Sequence, residues 1–272
     1  MKIIFSRKGV DSAAGRCCSP LINGRPISLP IPTRMPTATR YGDLTTSTIA
    51  FDLTKGRLDP TQPCHLDPDI DREALNTQRP HGWRGALGQV SSSLSHLRNN
   101  DVGPGDVFLF WGLFRECVQA TKGWRYAGPK RHAIFGWLQI DTVIDLGCDG
   151  SHALAQHPWL ARHPHVRPGW NNKNAIYLAR ETLTIGEGDI PGYGVFRRPI
   201  FLTEEGATPS TWSVPPWLDP QSGGVGMTYN PPSRWLGNGR VTVAARGQEF
   251  VSDAGIRPDA RDWLLSLFGG QP

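Results

Sequence analysis

Twenty-four prolines and 31 glycines are spread through these 272 residues, and they restrict the fold more than any other feature of the chain. Proline interrupts a helix ladder and glycine weakens one, so the pattern excludes a helical bundle and favours short strands joined by many turns. The stretch "PISLPIPTRMP" at 26–36 is the densest case, its prolines holding an extended path. A chain of this length can bury a large core. Neither an internal repeat nor a long linker interrupts it, so 1–272 reads as one domain.

Residues 2–6, "KIIFS", read as an opening strand, and 41–55 as a turn with another short element. From Arg84 to Leu97, Leu87, Val90, Leu94 and Leu97 recur at helical spacing, which predicts a helix ended by Asn99-Asn100. "DVGPGD" (101–106) is a turn signal before the apolar strand "VFLFWGLF" (107–114). A basic loop separates that strand from "HAIFGWLQI" and "TVIDL" (132–146), and Gly112 and Gly136 allow a bend or close backbone approach. Strands also read from "AIYLAR" (175–180), "GVFRRPIFL" (194–202) and "VTVAARGQEFV" (241–251), with a closing helix near 259–268. The order around 101–146 resembles the core of PUA-like β-barrels, which often hold a flipped or modified base. The expected class is α+β, mostly β, with a PUA-like curved sheet or barrel and a few helices.

The segments "MKIIFSRKGVDSAAG", "SPLINGRPISLPIP", "HLDPDI", "GALGQ", "GDVFLFWGLF", "FGWLQI", "HPHV" and "RGQEFV" follow one another along nearly the whole chain. In that set the sequence resembles the nucleotide modification associated domain 3 family of phages and bacteria. The resemblance implies a role in making or handling modified, even hypermodified, DNA bases, with other enzymes of the same pathway as partners. It leaves the reaction open.

"CHLDPDID" (64–71) concentrates the candidate chemistry. On an extended segment His65 and Asp67 point the same way, as two ligands of a facial metal site must. "RHPHV" offers His163 and His165 to complete it, with Fe(II) or another divalent metal as the cofactor. Arg180 stands at a possible distance for a cosubstrate carboxylate. Asp69 joins His65 and Asp67 as a candidate catalytic group; the competing reading is an Asp-Pro turn whose carboxylates cap backbone amides. "SRKGVDSAAG" (6–15) leaves the first strand with Arg7, Lys8, Asp11 and Ser12, a turn able to bind an anion or supply catalytic groups. In "RGQEFV", Arg246 and Gln248 share one face of a strand as a base or phosphate reader, while Glu249 points the other way as a candidate acid or half of a buried ion pair.

Net charge is +5, but residues 1–40 carry seven basic side chains against Asp11 alone, and the remainder 22 basic against 23 acidic. A basic end and two loops mixing cations with aromatics, 121–131 and 162–174, suit a nucleotide or DNA partner. In the first loop Trp124 and Arg125 are the candidate contacts; in the second, Trp170. Five cysteines without a CxxC pair suggest reduced thiols and a cytoplasmic setting, and no apolar run predicts membrane insertion. An enzyme acting on a base or nucleotide and a non-catalytic module binding a modified base both fit.

Overall fold

The computed structural model describes residues 1–186, 189–245, 247 and 249–269. Its strands are β1 (Lys2–Arg7), β2 (Ser19–Ile22), β3 (Arg25–Pro26), β4 (Ile31–Pro32), β5 (Cys64–His65), β6 (Ala86–Val90) and β7 (Val107–Ala120). They continue as β8 (Gly123–Asp145), β9 (Asn174–Ala179), β10 (Tyr193–Phe201), β11 (Thr211–Ser213), β12 (Trp235–Gly237), β13 (Arg240–Thr242) and β14 (Glu249–Asp253). Among the described residues four α-helices join them: α1 (Ser47–Leu53), α2 (Ser91–Asn99), α3 (Ser151–Gln156) and α4 (Pro258–Ser266). The α+β, mostly-β expectation holds.

The main sheet runs β14-β1-β7-β8-β9-β6, with β10 added to β8 and the β2–β3 pair added to β7. β1 lies parallel to β7, while β7–β8, β8–β9, β6–β9 and β1–β14 are antiparallel. Alternate residues of β7 feed two cores: Val107, Leu109 and Trp111 one, Phe108, Phe110 and Phe114 the other. Burial on both faces is why the strand reads as an unbroken apolar run. The second core draws Ile4, Phe108, Leu138, Tyr177, Leu87 and Val251 from all six strands of the path, with Leu94 and Leu97 from α2. The sheet therefore curls around a shared interior.

The curl stops short of a barrel. Among the described residues no backbone ladder joins the edge strands β6 and β14, so a PUA-like barrel is not shown. The two edges meet through side chains, the Gln89 amide donating to the Glu249 carboxylate.

Three further expectations change. The helix expected from Arg84 is a strand to Val90 and a helix only from Ser91, whose φ of +51° makes the corner. Residues 86–89 are all buried, Leu87 in one core and Ala86 in another on the opposite face, so their apolar spacing imitates a helical face. The basic loop at 121–131 is instead a continuation of the β7–β8 ribbon, paired out to Ala120 and Gly123. Trp124 and Arg125 lie near its tip and line none of the cavities described below. "VTVAARGQEFV" divides between β13 and β14. The close approach at the glycines is present: a Cβ on Gly112 would lie 2.8 Å from the Lys8 carbonyl, and one on Gly136 2.6 Å from that of Gly194.

Candidate metal centre

The site forms against β6, where the segment leaving β5 meets the turn that precedes β9. His65 ends β5, which pairs with β4 through Ile31, and Asp67 follows two residues on. Pro164–Val166 is a single 3-10 turn that delivers His165, and β9 begins at Asn174 beside it. Gly88 in β6 supplies the floor: its amide donates to Asp67 Oδ1 at 2.7 Å, and the His165 ring occupies the space a Cβ would need.

His65 Nε2 and His165 Nε2 each lie 3.8 Å from Asp67 Oδ2. One ligand atom from each of the three residues falls within 4.8 Å of the others. The hydrogen-bond network sets the tautomer of His165. Asn174 Nδ2 donates to the His165 carbonyl at 2.8 Å and faces the Gly147 carbonyl at 3.3 Å, which leaves Asn174 Oδ1 as the acceptor for His165 Nδ1 at 2.9 Å. With the proton on Nδ1, the Nε2 lone pair faces the cluster. Trp170 stacks on the same ring at 4.5 Å and 7°, so His165 is held at its edge and its face.

Burial pushes the His65 imidazole down to about 4 and that of His165 to about 3, in each case against the pull of Asp67. Burial alone would raise Asp67, but His163, His165 and Lys8 hold its carboxyl well below the usual range. The cluster is thus two neutral imidazoles and one carboxylate, a ligand set that fits a divalent cation with open positions.

His163 plays a different part. Its Nδ1 accepts the His165 amide at 3.3 Å, placing its proton on Nε2, which lies 3.4 Å from Asp67 Oδ1. It does not line the cleft. It stands beside the carboxylate rather than among the three grouped residues.

The cleft, about 440 Å³, is walled by His65, Asp67, Gly88 and His165 on one side. Lys8 and Gln89 also line it, and Lys8 Nζ pairs with Glu249 Oε1 at 3.3 Å with side chains only 9% and 1% exposed. Burial pushes the Glu249 carboxyl up while Lys8 draws it down, and its Oε2 has no hydrogen-bond partner among the described residues. At the mouth, Arg7 is ion-paired with Asp11, whose Oδ1 accepts the amides of Ala13 and Ala14, both at 2.7 Å. That turn satisfies itself. Ser12 is exposed and outside the cleft lining.

Asp69 is engaged elsewhere, accepting from Arg79 at 2.9 Å and from Trp83 Nε1 at 3.2 Å. Asp71 caps the Glu73 amide at 2.9 Å. The acidic stretch therefore divides, Asp67 facing the cluster and Asp69 and Asp71 serving structure. Arg180 faces Asp141 at 3.7 Å. Arg246 and Gln248 lie outside the described residues. Sequence reasoning missed Gly88, Gln89 and Asn174. The segment "GALGQ" held the signal for the first two, and Asn174 had none.

Fold and cleft together define a mostly-β protein whose buried two-histidine, one-carboxylate cluster faces a cleft of nucleoside size. The family profile for nucleotide modification associated domain 3 matches residues 2–253, and the chain belongs to that family. No curated protein and no solved structure matches it significantly. No helix among the described residues is long and apolar enough to cross a membrane.

Proposed function

We propose that the protein is an enzyme of a nucleotide or DNA-base modification system, and that His65, Asp67 and His165 bind one divalent cation at its active site. The observation that carries this reading is the convergence of one ligand atom each from His65, Asp67 and His165, with Asn174 fixing His165 so that its free lone pair faces the other two. Fe(II) is the preferred ion for two imidazoles and a carboxylate with open positions. Such an ion would supply Lewis acidity or redox chemistry at the bound base. The protein's own groups would do the rest. Lys8 and Glu249 form a buried pair able to hold or pass a proton at the cleft wall, and Trp170 fixes the orientation of His165. A target base in a duplex would have to be extruded to reach so enclosed a cluster.

Metal analysis of protein purified without chelator, followed by anaerobic Fe(II) titration, tests the reading. Wild type should bind one equivalent, and Asp67→Asn and His165→Ala should lose it while remaining folded. Wild-type protein that binds no divalent metal, while both variants still bind nucleotide, would assign the cleft to a non-catalytic binding module.

A further inference from the structure

A second cavity, about 1020 Å³, opens beside residues 70–73, further along the segment that carries His65 and Asp67. Arg25, Arg72, Arg79, Arg84 and Arg197 line it, against Asp71, Glu73 and Glu181. Three of these cations hold carboxylates. Arg25 faces Glu73 at 3.4 Å, Arg84 faces Asp141 at 3.2 Å, and Arg79 is locked onto Asp69.

Arg72 is different. Its guanidinium sits 5.1 Å over the Trp83 ring and donates to the Tyr193 hydroxyl at 3.1 Å, its contacts among the described residues being these neutral groups. Both partners are themselves fixed. Trp83 is buried, donates to Asp69, carries the Arg79 guanidinium at 4.5 Å, and meets the Tyr193 ring edge-on at 5.5 Å. Arg72 nonetheless remains exposed. A cation ordered by an aromatic face and a neutral hydroxyl keeps its full charge, and most of its donors stay free of any carboxylate. That arrangement is suited to the paired oxygens of a phosphate, and the planar fork is what separates it from a lysine.

We propose that this groove is a phosphate-recognition site with Arg72 as its principal contact. It would take a phosphate of a nucleotide or of a nucleic-acid strand, a choice of ligand class that rests on the nucleotide-modification reading above. Arg72, Trp83 and Tyr193 do not line the metal cleft, so the two sites can be perturbed separately.

Fluorescence anisotropy of a labelled single-stranded oligodeoxynucleotide, measured across a salt series with a mononucleotide and inorganic phosphate as competitors, tests this. Arg72→Ala should weaken binding about tenfold and make the salt dependence shallower by about one phosphate contact. Arg72→Lys, which keeps the charge and loses the fork, should fall between it and wild type. Arg72→Ala should still take up one equivalent of Fe(II), which keeps this readout separate from the metal cleft. If Arg72→Ala alters mononucleotide competition and leaves oligonucleotide affinity unchanged, the groove serves free nucleotide. Wild-type affinity and slope in Arg72→Ala for both ligands would overturn the groove while leaving the metal reading untouched. A metal-free wild type with Arg72-dependent binding would do the reverse.

Discussion

Asn174 touches no solvent-facing part of the cleft, yet the chemistry of His165 depends on it. Replacing it with alanine removes the acceptor that keeps the proton on Nδ1, and Nε2 then spends part of its time protonated. Asn174→Ala should therefore weaken metal binding by about 10–100-fold in a competition titration, with His165 still present. Unchanged affinity would show that the tautomer is set elsewhere. His132 offers a separate test by pH. Burial, aided by Arg7, holds its imidazole down to about 4, and its Nδ1 accepts from Trp212 Nε1 at 3.0 Å. Between about 6.5 and about 4 the unfolded chain takes up a proton that the folded ring refuses. The stabilisation is thus present above about 6.5 and lost as pH falls through 4, up to about 3 kcal/mol for this ring. Denaturant unfolding at several pH values should show a shallower acid dependence in His132→Gln, which still offers Trp212 an acceptor. Parallel curves would clear His132 of that role.

Among elements, β6 has the least freedom. Gly88 must admit the His165 ring on one side and donate its amide to Asp67. Gly88→Ala should displace His165 and cost about 1–3 kcal/mol from overpacking, together with metal affinity. A crystal structure of the variant with an unmoved ring and full metal loading would contradict this. The same strand shows what the sequence could and could not disclose. Leu87, Val90, Leu94 and Leu97 fall at helical spacing because β6 is buried on both faces and α2 starts immediately after it. Local pattern cannot distinguish that from one continuous helix. By contrast, β1 and β7 were legible as short apolar runs bounded by turn signals, and the His65–Asp67 pair because a two-residue period in an extended segment dictates sidedness directly. The role of Asp69 was not, since Arg79 and Trp83 reach it only through the tertiary fold.

The whole molecule is an open sheet curled until its edges touch, and Gln89 with Glu249 makes that touch. Gln89→Leu leaves a buried carboxylate with one fewer donor and should cost about 1–3 kcal/mol in unfolding free energy. Combined with Glu249→Gln, the losses should be non-additive by at least about 0.5 kcal/mol, whereas simple additivity would mean the edges merely lie near each other. Lys8 and Glu249 stand 241 positions apart, one in the first strand's exit and the other in the last strand of the sheet. Synthesis runs in that same direction. A nascent chain halted before residue 249 already contains His65, Asp67 and His165, but its Lys8 has no counter-charge and β1 has one bare edge. The three clustered residues are thus all translated well before the acid that pairs with Lys8, and contacts of such long sequence separation form late in folding. Only a chain synthesised through β14 can carry both the cluster and the buried Lys8–Glu249 pair, so an interrupted product lacks one of the two.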